Sequence, residues 1–257
     1  MYSKMVAGII LFGLLSCLNG QSPGQQGFSP ANTVKVSRIF TYINNIPLPE
    51  GFERISVKET GFGKWLRNLA LKTDKTVYLY NGSPKANQSA QFAVLDISVG
   101  NKDLQQCADA VMRLRAEYLF ANKEYDRIRF TDNEGGIYQF GAPYSKEHLQ
   151  TYLQRVFGMC GTASLNKQLK AVKMMDMQAG DVLIKGGFPG HAVIVVDMAR
   201  NASGEKIYLL AQSYMPAQDI HILNNPNNES LSPWYLLKEE DVNTPEYYFT
   251  RDQLKSW

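Results

Sequence analysis

An α+β fold in a single domain is predicted by three features of this 257-residue sequence. The strongest helix signals fall in the middle of the chain, over Asp103–Ala121 and Ser145–Val172. The last third reads mainly as strands joined by short turns. No internal repeat divides the chain, and a hydrophobic content of 44% is enough for one sizeable core.

The first residues are set apart from that domain. Lys4 precedes an apolar run of eleven residues, Met5 to Leu15. A bilayer-spanning helix needs about 20 residues, so the run fits the core of a signal peptide over residues 1–20. Two ways of processing compete. "LLSC", ending at Cys17, is similar to a bacterial lipobox, in which the cysteine is lipidated; the other is a cut after Gly20. Residues 21–33 are rich in Gln, Ser, Pro and Gly and read as a flexible tether. The domain is expected over residues 34–257. The protein is therefore expected to be exported, with membrane contact only through a lipid anchor. Lys4 is the only charged residue of the first 20, so the rest of the chain carries a net charge of +2, one less than the full chain's +3. No basic block calls for nucleic acid.

The elements follow from local pattern. "GFGKWLRNLAL" gives a short amphipathic helix with Phe62, Leu66 and Leu69 on one side. "TVYLY" and "AQFAVLDISV" read as strands around a turn-rich stretch. Asp103 followed by Gln106 forms a capping box, and Leu104, Cys107, Ala108, Val111, Leu114 and Tyr118 then share one helical face. On this reading Cys107 is the fourth helical residue, and Asp109, Arg113 and Glu117 form a solvated stripe. "IRF" and "IYQF" form a hairpin. Ser145 opens the next helix and Gly161 separates it from another. "DVLIK", "HAVIVVDMA", "KIYLLAQSY" and "EYYF" are strands.

The chemistry concentrates in "GDVLIKGGFPGHAVIVVD". A glycine- and proline-rich loop delivers His191 to the start of a strongly apolar strand. If that strand pairs with Lys206–Tyr214 as a hairpin, with Ala199 opposite Lys206, then Val193 faces Gln212. Gln212 would lie diagonal to His191 on the same face, within reach of its ring. A glutamine oxygen there can accept one ring N–H and so fix the tautomer that leaves the other nitrogen free to take a proton. A one-residue slip would send Gln212 to the opposite face. Asp197 is expected on the His191 face too, but about 20 Å along the strand. The alternative for His191 is a structural role, bonding loop carbonyls.

Cys107 and Cys160 can each supply a thiol. They can pair as a disulfide or stand free. Cys107 sits near a helix start, where amides and the helix dipole favour a thiolate; it also sits on an apolar stripe, where a cysteine packs as a small hydrophobe. Cys160, before Gly161 and a new helix, is the rival nucleophile. His148 is expected at the surface and His221 to point outward from a strand. No tight ligand spacing supports a metal site, and no cofactor motif is present.

The G-D-(apolar) and G-H-(apolar) blocks, at Gly180–Asp181 and Gly190–His191, resemble those of the NlpC/P60 papain-like cysteine hydrolases. The resemblance implies a papain-like antiparallel sheet packed against helices. It implies cysteine, base and orienting residue in the order Cys107, His191, Gln212, and a peptide or peptidoglycan-like substrate cleaved at amide bonds. "DLQQCADAV" departs from that family's D-C-S-G pattern, which leaves a non-catalytic envelope protein that binds a glycan or peptide as the alternative. "QCADAVMRLRAEYL", "GTASLNKQL", "LLAQSYMPAQDIHIL" and "PWY" closely resemble a family of exported bacterial proteins, domain of unknown function 4846, over most of the chain after the tether; the resemblance implies the periplasm or an outer-membrane lipoprotein.

Overall fold

The computed structural model describes residues 40–257; the expected signal peptide, Cys17 and the tether lie outside the described residues. In chain order the strands are β1 (Phe52–Arg54), β2 (Gln91–Val94), β3 (Arg129–Thr131), β4 (Ile137–Gln139), β5 (Lys170–Ala171), β6 (Val182–Lys185), β7 (His191–Asn201), β8 (Lys206–Gln212), β9 (His221–Leu223), β10 (Tyr235–Leu236), β11 (Val242–Asn243), β12 (Tyr248–Phe249) and β13 (Leu254–Ser256). The helices are α1 (Phe62–Arg67), α2 (Cys107–Ala121), α3 (Lys146–Met159) and α4 (Thr162–Gln168). The fold is mixed α+β, as expected.

Its centre is an antiparallel sheet in the order β2-β9-β8-β7-β6-β13-β5, with β1 added to the far half of β7 and β10 to β8. The apolar run of β7 is continuous because both of its faces are covered. Ala192, Ile194 and Val196 join the helix-side core with Val111, Met112 and Leu165. Val193, Val195 and Met198 join a second core with Tyr208, Leu210, Tyr235 and Phe249. Among the described residues no helix is long and apolar enough to cross a membrane.

The β7–β8 register decides the site. Near the turn the strands pair Arg200 with Lys206 and Ala199 with Ile207, one residue away from the expected pairing. A bulge between Val195 and Asp197 then takes up one residue, and Ile194 pairs with Ala211. Continued toward His191, this register puts Val193 opposite Gln212, as expected. The same bulge corrects the position of Asp197. It leaves the His191 face and turns to the helix side, fully buried, where Arg54 (2.7 Å) and Arg67 pair with its two oxygens.

Other elements depart from expectation for local reasons. "TVYLY" makes only isolated bridges, Tyr78 with Pro84 and Leu79 with Gln218, and a proline cannot extend a ladder. β3 and β4 form the expected hairpin, with Phe130 opposite Tyr138. Ser145 Oγ accepts the His148 N–H at 3.1 Å and opens α3. Helix α2 starts later than its pattern suggested. The Asp103 carboxylate is taken by the Ala217 N–H of a distant loop (2.6 Å) and by the Gln106 side chain (3.1 Å). Gln106 becomes the N-cap, and Asp109 caps it instead.

Candidate active site

His191 is the first residue of β7 and is 2% exposed. The loop before it needs its glycines. Gly187 has φ of +115°, and a Cβ at Gly190 would fall on Gly187 O, Thr162 Oγ1 and Lys185 O. The backbone therefore threads between β6 and the start of α4 before reaching the histidine. Tyr214, Tyr247 and Phe249 pack around the His191 ring, with centroids at 4.6, 4.8 and 5.9 Å.

Gln212 lies where the register predicts. His191 Nε2 and Gln212 Oε1 are 2.9 Å apart. The Gln212 amide nitrogen faces away, donating to Glu246 Oε2 at 2.7 Å. Only the amide oxygen meets the ring, so Nε2 carries the proton and Nδ1 is the free nitrogen. Glu246 is in turn held by Lys85 Nζ (2.5 Å) and Asn87 Nδ2 (3.1 Å). Burial pushes the His191 ring down to about 4, against the opposing pull of Gln212 and Glu246.

His221 is a correction. It does not point outward: it is fully buried on β9, with Nδ1 2.9 Å from Asp219 O and Nε2 3.4 Å from the Gln212 amide nitrogen. Burial and the nearby Lys85 charge lower it to about 4. The register of β8 with β9 sets Gln212 directly opposite His221, so the inner face of the sheet, and not the strand's local alternation, claims the ring. Trp234 is also buried, its indole N–H donated to Pro47 O at 2.8 Å.

Cys107 is the first residue of α2, not the fourth. The backbone N–H groups of Ala108 and of Ala192, the residue after His191, act to lower its thiol pKa, and α2 packs against β7. The helix end thus abuts the start of β7. Cys107 and Cys160 are each free and buried. Burial, and then the charge of Asp109, push the Cys107 thiol up to about 11, outweighing the amides that favour a thiolate. Cys160 ends α3, and burial pushes its thiol up to about 11 as well.

Both thiols line one open cleft of about 400 Å³, together with Asp109, Thr162, Phe188 and Met215. Phe188 is 96% exposed at its rim. The cleft reaches Cys107 and Gly190, but the His191 ring is not part of its wall. Among the described residues no hydrogen bond joins the Cys107 sulfur to His191, whose ring bonds Gln212. The expected solvated stripe is half present: Arg113 and Glu117 pair at 2.8 Å, while Asp109 is buried.

A family model described as a domain of unknown function (4846) matches residues 43–142 and 137–256. The chain belongs to that family. The first matched stretch of the 4846 domain holds Cys107 and Asp109; the second holds Cys160, His191, Gln212 and Glu246. Searches of curated proteins and of solved structures give no match.

Sequence reasoning missed Glu246, Lys85 and Asn87. Glu246 and Lys85 are separated by 161 residues, and no local pattern links them. A buried glutamine opposite a histidine was the one available signal, since its second polar end also needs a partner.

Proposed function

We propose that this protein is an exported cysteine hydrolase of papain-like design that cleaves amide bonds, with bacterial cell-wall peptides as its substrate class. One observation carries the reading: a free thiol at the first position of a helix abuts the strand that begins with a glutamine-locked imidazole. In this reading Cys107 attacks the amide carbonyl and its proton passes to His191 Nδ1. The C–N bond breaks, the imidazolium returns the proton to the leaving amine, and water hydrolyses the thioester. Gln212 orients the ring, and Glu246 fixes the amide that does so. Thiol and imidazole both rest neutral, so the pair becomes reactive only once substrate draws them into hydrogen-bond contact. The export signal and the blocks that resemble NlpC/P60 enzymes support the location and the substrate class. Purified protein should release amine from peptidoglycan fragments, and Cys107→Ala and His191→Ala should abolish the release. An inactive parent protein, or activity unchanged in either variant, would overturn the proposal.

A second reading is favoured by the thiol itself. A sulfur held at about 11 and not bonded to the imidazole suits an envelope protein that binds a glycan or peptide without cleaving it. Saturable binding of intact peptidoglycan fragments, with no turnover over long incubation, is the result that would select it.

A further inference from the structure

Tyr208 carries a hydroxyl that the fold does not use. The residue is 2% exposed and stacks on Tyr235, with ring centroids 5.5 Å apart. The Tyr235 hydroxyl donates to Asn224 O, whereas among the described residues the Tyr208 hydroxyl has no partner. It is not sealed in the core either. Among the described residues the wholly buried side-chain atoms without a partner belong to Gln91, Asp109, Gln218 and Trp257, so the Tyr208 oxygen keeps its access to the open pocket of about 390 Å³ that Tyr208 lines. A phenylalanine would fill the same core space, and a buried tyrosine hydroxyl ordinarily finds a partner. Two loops, 225–231 and 238–243, build the rest of the pocket and are stapled together. Asn227 Nδ2 donates to Asn243 O at 2.9 Å, and Asn243 Nδ2 to Asn227 Oδ1 at 3.1 Å. Asn228 Oδ1 is taken by Ser230 Oγ and the Leu231 N–H. Among the described residues Asn243 Oδ1 and Asn228 Nδ2 are left without partners, one an acceptor and one a donor.

We propose that this pocket binds a neutral saccharide, recognised by Tyr208 Oη, Asn228 Nδ2 and Asn243 Oδ1. A sugar hydroxyl both donates and accepts, and the pocket offers one donor, one acceptor and one group that does both. Its charged residues are Lys238, Glu240 and Asp241. Lys238 lies 3.8 Å from Glu240, and the two Asp241 oxygens are taken by the Tyr248 hydroxyl and the Arg251 N–H. That leaves neither a cationic cluster for a phosphate nor an open pair of carboxylates for a cation. Leu231 and Leu236, each partly buried in the pocket wall, supply apolar surface for the C–H face of a sugar ring. The unpaired groups are side-chain groups and not a backbone edge, which favours a sugar over an extended peptide. The volume lies within the roughly 300–1,000 Å³ of small-ligand sites. Tyr208, Leu210 and Gln212 alternate along β8, so the pocket opens on the sheet face that carries Gln212, about 13 Å along the strand. It shares no lining residue with the Cys107 cleft, so the site is independent of the hydrolase reading.

Chitotetraose and cellotetraose, an N-acetylated and a plain neutral saccharide, are titrated into the purified protein. Calorimetry gives the affinity, and NMR of the side-chain amides gives the location. Saturable binding of at least one is expected, with the Asn228 and Asn243 amide signals shifting; the stronger of the two probes tells which kind of sugar the pocket prefers. Tyr208→Phe removes only the hydroxyl. It should weaken binding about 3–10-fold, the worth of one neutral hydrogen bond, and leave the urea midpoint where it was. No binding of either saccharide at millimolar concentration overturns the proposal. So does undiminished affinity in Tyr208→Phe, or a sugar-free stem peptide that shifts the same amide signals when neither saccharide does. A parent that hydrolyses no amide yet binds a saccharide here overturns the hydrolase reading and leaves this site standing.

Discussion

His191 and Gln212 are joined ring to amide across 2.9 Å, and the other end of that amide is tied to Glu246. The pair is a rigid unit because neither polar end of Gln212 is free to exchange. Gln212→Leu should strand the His191 Nε2–H and leave Glu246 facing an apolar group. The expected loss is about 1–3 kcal/mol per unsatisfied group, read as a lower urea midpoint. Amide hydrolysis should fall with it. A variant as stable as the parent would mean that the amide contributes nothing to the buried network.

The Cys107 thiol is expected to be sluggish in the resting protein. With its value pushed up to about 11, the thiolate fraction at pH 8.5 is roughly a hundredfold below that of an ordinary cysteine. Alkylation of the described cysteines by iodoacetamide, followed by mass spectrometry, should speed up steadily with pH through that range. Rapid modification of Cys107 near neutrality would show that the helix amides outweigh burial.

Stability should fall in acid through the two buried histidines. Folding lowers His191 and His221 from 6.5 to about 4, so the unfolded chain takes up protons first as pH drops. Their contribution is complete above about 6.5 and lost as pH falls through about 4, ~3 kcal/mol for each ring. Asp181, raised to about 6 by burial, acts in the opposite direction over the same range. Ring-proton shifts of His191 and His221 that stay flat between pH 7 and 5 would bear this out. So would a smaller acid slope of stability in His221→Gln. Titration of either ring near 6.5 would contradict it.

Asp197 anchors β1 and α1 to the sheet. Its two oxygens meet Arg54 and Arg67, and Arg67 also donates to Ile55 O and Met198 O. Asp197→Ala leaves the buried Arg67 charge uncompensated, and a loss of about 3–5 kcal/mol is expected from thermal or urea unfolding. An effect below about 1 kcal/mol would place the pair among ordinary surface bridges.

Local pattern alone established the strand that carries His191 and the face on which Gln212 meets it, and left two thiols open as the nucleophile. Period-two patterning and turn chemistry are local, and they survive into the fold. The Gln212 placement was reached through a pairing one residue off at the turn, and the β7 bulge restored it. The same bulge moved Asp197 to the other side of the sheet. That Asp103 would be drawn to Ala217, with the helix then starting at Cys107, depended on a loop more than a hundred residues away. Glu246, Lys85 and the buried His221 were likewise settled by strands and loops far apart in the chain. Their positions depend on which polar groups must find partners once the core closes, and that demand exists only in the folded molecule.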